Sequence, residues 1–143
     1  MKPSVSIGIE EEYQTIDPAT YDLRSHIQTE LMAQGRRVMK EKVKSELHQA
    51  VVEVGTGVCR NMTEAREDLV NLRRQMVSLA RDNGLALVAG ATHPFADWRV
   101  QDISPDERYL QVVEDMQLVA RANLISACMC TSASRTARRR FTS

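Results

Sequence analysis

The chain of 143 residues is 43% hydrophobic and 27% charged, which is typical of a globular domain with a core of its own. No apolar run is long enough to cross a membrane, and the first residues lack the apolar core and cleavage site of a secretory signal. We therefore expect a cytoplasmic protein without a membrane partner. The net charge is zero, but residues 126–143 carry four Arg and no acidic residue, so residues 1–125 are acidic. This argues against nucleic acid as a partner.

Residues 4–16 alternate between apolar and polar side chains, as in a strand with one covered face. The predicted inward face carries Val5, Ile7, Ile9 and Tyr13, and the other face carries Ser6, Gly8, Glu10, Glu12 and Gln14. Glu11 has the parity of the apolar face, which predicts that it lies near the strand's end.

Helices and strands are expected to alternate along the rest of the chain. A weak helical pattern over residues 23–43 precedes a second predicted strand over residues 44–54. The capping pair Asn61 and Glu64 opens a stronger predicted helix, and Gly84 stands where its carboxyl-terminal cap belongs.

The second half of the chain continues this order. Residues 85–89 form a short apolar run, interpreted as a buried strand. Ser104 is the predicted cap of a further helix. Its expected apolar stripe comprises Leu110, Val113, Met116 and Ala120.

Two groups of carboxylates are candidate metal ligands. Glu10 and Glu12 point the same way from the first strand, where they repel each other unless a cation lies between them, and such oxygen ligands suit magnesium. Glu53 stands among three valines, where a buried carboxylate needs a partner or a metal. Glu46 lies on the same predicted strand with opposite parity, so a bulge or twist would be needed to bring it to one site with Glu53. A solvated strand face and an ion pair with arginine are the alternatives.

Two polar segments are candidate substrate contacts. His93 follows the short strand and precedes Pro94, a position typical of a functional loop residue, although backbone hydrogen bonds could equally explain a histidine there. Arg108 opens a helix and could bind a carboxylate through two parallel hydrogen bonds. An ion pair at the helix start is the alternative.

Together these motifs resemble the carboxylate–amine ligase family, also called glutamate–cysteine ligase family 2. The resemblance covers about residues 4–125. It rests on the order and spacing of Gly8-Ile9-Glu10-Glu11-Glu12, Val52-Glu53, Thr92-His93-Pro94-Phe95 and Glu107-Arg108-Tyr109.

The resemblance implies an α+β fold like that of glutamine synthetase, with an antiparallel sheet forming an open half-barrel and helices on its outer face. It implies that Glu10, Glu12 and Glu53, with Glu46 as a further ligand, hold Mg²⁺ bound to ATP. Arg108, Tyr109, His93 and Thr92 would line the substrate cleft.

The implied reaction is ATP-dependent: a carboxylate such as glutamate is phosphorylated, and an amine such as cysteine attacks the acyl phosphate. Substrates are small molecules, and an oligomer is compatible with the family. Family members are much longer than 143 residues, so we expect this chain to lack much of the site and to be inactive alone. The alternatives are a non-catalytic module that pairs with another chain through the sheet edge after Leu87, and an α/β fragment whose Glu residues bind nothing.

Residues 126–143 do not follow the pattern of the preceding chain. They contain many Ser, Thr and Arg residues and show no apolar period. The family would have a His-Val-His-Val-Gly strand here, and a one-base shift of allowed codons turns residues 128–133 into that sequence. We therefore expect an out-of-frame, disordered tail after a domain of residues 1–125. Metal binding by Cys128 and Cys130, or contact of the Arg run with nucleic acid or anionic lipid, are weaker alternatives, and three cysteines without a secretory signal suggest free thiols.

Overall fold

The strand predicted from residues 4–16 is the central strand of an open antiparallel sheet. The structure, a computed structural model, describes residues 5–26 and 29–134. The strands are β1 (Val5–Ile16), β2 (Val43–Ser45), β3 (Val51–Gly55), β4 (Ala86–Val88) and β5 (Cys128–Ser134). The helices are α1 (Leu31–Met39), α2 (Met62–Asp82), α3 (Glu107–Met116) and α4 (Leu118–Ala122), with short 3-10 turns at Lys40–Lys42 and Trp98–Val100.

The sheet has the order β2-β3-β1-β4, and β5 also pairs with β1. Because β1 is long, β4 pairs with its last residues and β5 with its first seven, both on the side opposite β3. All pairings are antiparallel, and the described strands do not close into a barrel. The expected α+β fold with an open antiparallel sheet is thus confirmed. No helix in the described ranges is long and apolar enough to cross a membrane.

Helices α1 and α2 cover one face of the sheet. Tyr13 of β1 and Val52 of β3 are register partners on this face, and both are buried against α2 residues such as Leu72 and Met76. A smaller apolar cluster joins Ile9 to Ala65 near the start of α2. The alternating pattern of β1 therefore predicts the covered face correctly, because residues two apart on a strand share a face.

The strand predicted over residues 44–54 is wrong as a single element. The chain reverses between β2 and β3, so that Val43 lies opposite Val54. The intervening turn is held by contacts distant in sequence: Ser104 N–H donates to the Leu47 carbonyl at 2.8 Å, and Gln49 N–H donates to the Asp102 carbonyl at 2.9 Å. Because these partners are distant in sequence, no local pattern predicts the turn.

Three helix boundaries also differ from the predictions. The helix expected over residues 23–43 is confined to α1, because Leu23 bridges to Ile16 and extends the edge of the sheet instead. Helix α3 is capped by Asp106, whose carboxylate accepts from the Arg108 N–H. Ser104 does not cap it, since its hydroxyl donates to the Glu46 carbonyl at 2.5 Å.

The other boundaries agree more closely with the sequence. Asn61 caps α2 by accepting from the Glu64 N–H at 3.0 Å, while the Glu64 carboxylate reaches the N–H of Arg60. Gly84 has a φ of 67°, a conformation that favours glycine after a helix. Strand β4 is present, but its side chains are half-buried rather than fully buried.

The expected disorder of the tail is wrong for the part described, because residues 128–134 form β5 along β1. Strand pairing uses backbone N–H and C=O groups, so it does not require the apolar period that the tail lacks. Cys128 and Cys130 are exposed free thiols and Cys59 is a buried one. The run Arg138-Arg139-Arg140 lies outside the described residues.

The predicted position of Glu11 near the strand's end is also wrong. Glu11 lies within β1 with its side chain only 8% exposed, and Arg73 of α2 binds its carboxylate in a two-pronged ion pair, with Nε 2.9 Å from Oε2. The Tyr13 hydroxyl donates to the same carboxylate at 2.5 Å. The hydrogen bond from Arg73 lowers the pKa of Glu11, and burial together with Glu11 raises the pKa of Tyr13 to about 12.

We predict that Arg73→Met lowers the free energy of unfolding by about 2–3 kcal/mol at neutral pH, because it leaves a buried carboxylate without its cation. Arg74→Met is the matched control, since Arg74 is the next residue of α2 and is exposed. Its expected effect is within about 0.5 kcal/mol. Urea denaturation measures both, and an equal loss in the two variants would contradict the prediction.

The same pair predicts how stability depends on pH. Because the pKa of Glu11 is lowered from its ordinary value of 4.5, the pair stabilises the fold above pH 4.5, and this contribution disappears as the pH falls through the lowered pKa. Below pH 4.5 the free energy of unfolding of Arg73→Met, measured by urea denaturation, should therefore change less with pH than that of the unmodified chain.

Candidate metal and substrate site

Three carboxylates meet on the face of the sheet opposite helices α1 and α2. The oxygens contributed by Glu12, Glu46 and Glu53 all lie within 4.8 Å of one another. Glu12 and Glu53 are direct register partners of β1 and β3, so strand pairing alone brings them together. Glu46 joins them from the turn that follows β2, and the reversal of the chain removes the parity conflict without a bulge.

The turn that carries Glu46 is fixed by its neighbours. Its carbonyl accepts the Ser104 hydroxyl, and its carboxylate accepts the N–H of Leu47 at 3.2 Å. His48 of the same turn is buried, and its Nε2 lies 2.9 Å from the Arg121 carbonyl of α4. Burial lowers the pKa of His48, which favours the neutral ring. The segments around residues 104 and 121 therefore position one member of the carboxylate cluster.

Glu10 is adjacent to the cluster but outside the group of three. Lys44, the register partner of Glu53, places its ammonium 2.6 Å from a Glu53 oxygen and 3.8 Å from a Glu10 oxygen. The hydrogen bond to Glu53 raises the pKa of Lys44. Lys44 was not predicted from the sequence, although its place opposite the valine-flanked Glu53, nine residues later, is clear once β2 and β3 are known to pair.

The cluster concentrates negative charge. Burial raises the pKa of Glu12, and the neighbouring Glu53 and Glu10 raise it further. Burial likewise raises the pKa of Glu46, with added repulsion from Glu53 and Glu12. A divalent cation would reverse this repulsion, and an all-oxygen donor set within reach of one ion fits a hard cation such as Mg²⁺. The residues present therefore fit the implied metal.

Glu46 and Glu53 of the cluster line a cleft of about 1080 Å³. Arg108 and Tyr109 line it, as do the additional cations Arg36 and Lys40, which were not predicted. The Arg108 guanidinium lies 4.6 Å over the Tyr109 ring and donates to its hydroxyl at 2.7 Å. The Tyr109 hydroxyl in turn donates to the Ser45 carbonyl at 2.9 Å, which attaches the start of α3 to β2.

Thr92 and His93 are not among the residues that line this cleft. Thr92 bridges to Ile125. His93 Nδ1 accepts the Ala96 N–H at 3.1 Å, so Nε2 carries the proton and donates to the Tyr21 carbonyl at 2.9 Å. Both ring nitrogens are engaged, so in this structure His93 holds its loop against the turn after β1.

Comparison with known proteins identifies the family to which the chain belongs. The family described as glutamate–cysteine ligase family 2 matches residues 6–133, and the chain belongs to that family. The crystal structure of a glutamate–cysteine ligase from Francisella tularensis in complex with AMP has the same fold, with a TM-score of 0.75 at 10% identity. The alignment covers 96% of this chain and 28% of that one.

Relatives in sequence have names that give glutamate–cysteine ligase 2 as a provisional assignment. The protein of Solibacter usitatus is 58% identical over 125 residues, which are 87% of this chain and 32% of that protein. The protein of Herpetosiphon aurantiacus is 51% identical over 84% of this chain and 31% of its own length. The chain thus spans about a third of these relatives and corresponds to their N-terminal part.

We predict that Glu53→Gln weakens binding of Mn²⁺, used as a spectroscopic substitute for Mg²⁺, by at least about tenfold, or about 1.4 kcal/mol. Lys44→Met should instead tighten it, because the Lys44 ammonium competes for the Glu53 carboxylate. The control is Glu41→Gln, which removes an exposed carboxylate from the same cleft. Electron paramagnetic resonance titration gives the affinities, and equal weakening by Glu41→Gln would argue against the cluster.

Proposed function

We propose that this chain forms the N-terminal, metal-binding part of an ATP- and Mg²⁺-dependent carboxylate–amine ligase that joins glutamate or a similar acid to an amine such as cysteine. The observation that carries the proposal is the convergence of Glu12 with Glu46 and Glu53, because the last two line a cleft that also contains Arg108. Membership of the ligase family and the AMP bound to the Francisella tularensis enzyme support the use of ATP.

In this proposal Glu12, Glu46, Glu53 and the adjacent Glu10 hold Mg²⁺. Bound there, the ion would neutralise the phosphate oxygens of ATP during transfer to the carboxylate. The protein's own contribution is to hold Glu12 and Glu53 side by side on paired strands, with Glu46 on the turn after β2. Lys44 would leave Glu53 on metal binding and become available to a phosphate oxygen.

The cationic residues of the cleft have roles in substrate binding. Arg108 can hold a substrate carboxylate through two parallel N–H groups, and its stacking on Tyr109 limits the orientations of the guanidinium. Arg36 and Lys40, which line the same cleft, suit the phosphate groups of the nucleotide. Thr92 and His93 act in this proposal as loop supports rather than as direct contacts.

The 143-residue chain alone is expected to show no ATP-dependent ligation, because it spans about a third of its relatives and its cleft is formed by only part of their sheet. Phosphate release with ATP, Mg²⁺, glutamate and cysteine measures this. The full-length Solibacter usitatus relative, assayed in parallel, is the positive control. Turnover by the short chain that depends on Glu53 would overturn the prediction of inactivity.

We further infer that the sequence from about residue 126 is read out of frame. The support is that allowed codons for residues 128–133 read His-Val-His-Val-Gly after a one-base shift. Resequencing the coding DNA across codons 120–143 should find one base more than the present frame contains. A confirmed frame would show that the sequence of β5 is genuine and reject this inference.

A further inference from the structure

The side-chain amide of Gln14 is buried on β1 without a hydrogen-bond partner. Gln14 is 0% exposed, and neither its Oε1 nor its Nε2 makes a hydrogen bond within residues 5–26 and 29–134. A side-chain amide offers two donor and two acceptor positions, and leaving them unpaired away from water destabilises a fold. The great majority of buried polar side-chain atoms in natural proteins have a partner, so this amide requires an explanation.

Strand pairing places Gln14 in the row of residues next to the carboxylate cluster. Side chains alternate along a strand, so Gln14 lies on the same face of β1 as Glu12. Glu12 is the register partner of Glu53, and Gln14 is the register partner of Val51, two residues before Glu53. Val51 is only 2% exposed, so the open face is covered in this row. The unpaired amide is therefore on the covered side of the cluster.

The spacing along β1 decides how the amide can act on a cation. Residues two apart on a strand are about 6.7 Å apart, whereas a bond from Mg²⁺ to an oxygen ligand is about 2.1 Å long. A hydrogen bond adds about 2.9 Å, so a water bound to the ion reaches an acceptor about 5 Å from the ion. Mg²⁺ usually keeps several waters when a protein binds it. A water on the cation thus fits the spacing better than direct ligation by Gln14.

We propose that Gln14 is a positioning residue of the metal site, whose amide oxygen accepts a hydrogen bond from a water bound to the cation held by the carboxylate cluster. This role rests on the proposed function, since it needs a cation at Glu12, Glu46 and Glu53. A cation polarises its bound water and makes that water a strong donor, which suits the unpaired Oε1. Groups that hold metal ligands from outside the coordination sphere typically contribute about ten- to a hundredfold to metal affinity.

This role predicts opposite effects of one substitution on stability and on metal binding. Gln14→Met keeps an unbranched side chain of similar length but removes both polar atoms. In buffer with EDTA it should raise the midpoint of thermal unfolding by about 3 °C or more, because it removes an unpaired buried amide. The same variant should weaken Mn²⁺ binding at least about tenfold, as measured by electron paramagnetic resonance titration. A side chain with a purely structural role would not produce this combination.

Gln75→Met is the matched control. Oε1 of Gln75 is also buried without a hydrogen-bond partner in the described part of the chain, but Gln75 belongs to α2, which covers the opposite face of the sheet. Gln75→Met should leave the Mn²⁺ affinity within about twofold of that of the unmodified chain. Equal weakening by the two variants would overturn the role of Gln14.

Two further outcomes would also overturn it. A lower unfolding midpoint for Gln14→Met would mean that the amide is bonded within the fold, and an unchanged Mn²⁺ affinity would mean that it does not act on the cation. Glu53→Gln distinguishes this inference from the proposed function: if Glu53→Gln weakens Mn²⁺ binding and Gln14→Met does not, only the role of Gln14 fails. If the unmodified chain and Glu53→Gln bind Mn²⁺ equally, the metal site itself fails, and the role of Gln14 fails with it.

Discussion

The ion pair between Glu11 and Arg73 is the contact on which the arrangement of the sheet depends. Three consecutive carboxylates occupy the middle of β1, and alternation forces one of them onto the face covered by α2. Without a cation a charge buried there would strongly favour a shift in register or exposure of the strand. Arg73 neutralises it from the helix, and the two flanking carboxylates are thereby directed to the open face where they can act together.

Antiparallel strand pairing brings most residues of the carboxylate cluster together. The β1–β3 register places Glu12 beside Glu53, and the β2–β3 register places Lys44 beside Glu53. Only Glu46 comes from a turn, and that turn is held by hydrogen bonds from residues more than fifty positions away. Ligands on strands are held more rigidly than ligands on loops, which suits the cation site that we propose for this cluster.

The cleft combines cations with carboxylates, since Arg36, Lys40 and Arg108 line it together with Glu46 and Glu53. The chain that carries it spans about a third of the length of the relatives that it matches. The apolar core lies between the sheet and helices α1 and α2.

The sequence alone determined those features that depend on local periodicity: the central strand with its two faces, the long capped helix α2, and the motif order that identifies the family. Tertiary structure decided the rest. It split residues 44–54 into two strands, shortened the first helix, gave Glu11 its partner and turned His93 into a loop support. Each of these depends on a contact between residues distant in sequence, and no local pattern records which distant group will satisfy a buried charge or a free N–H.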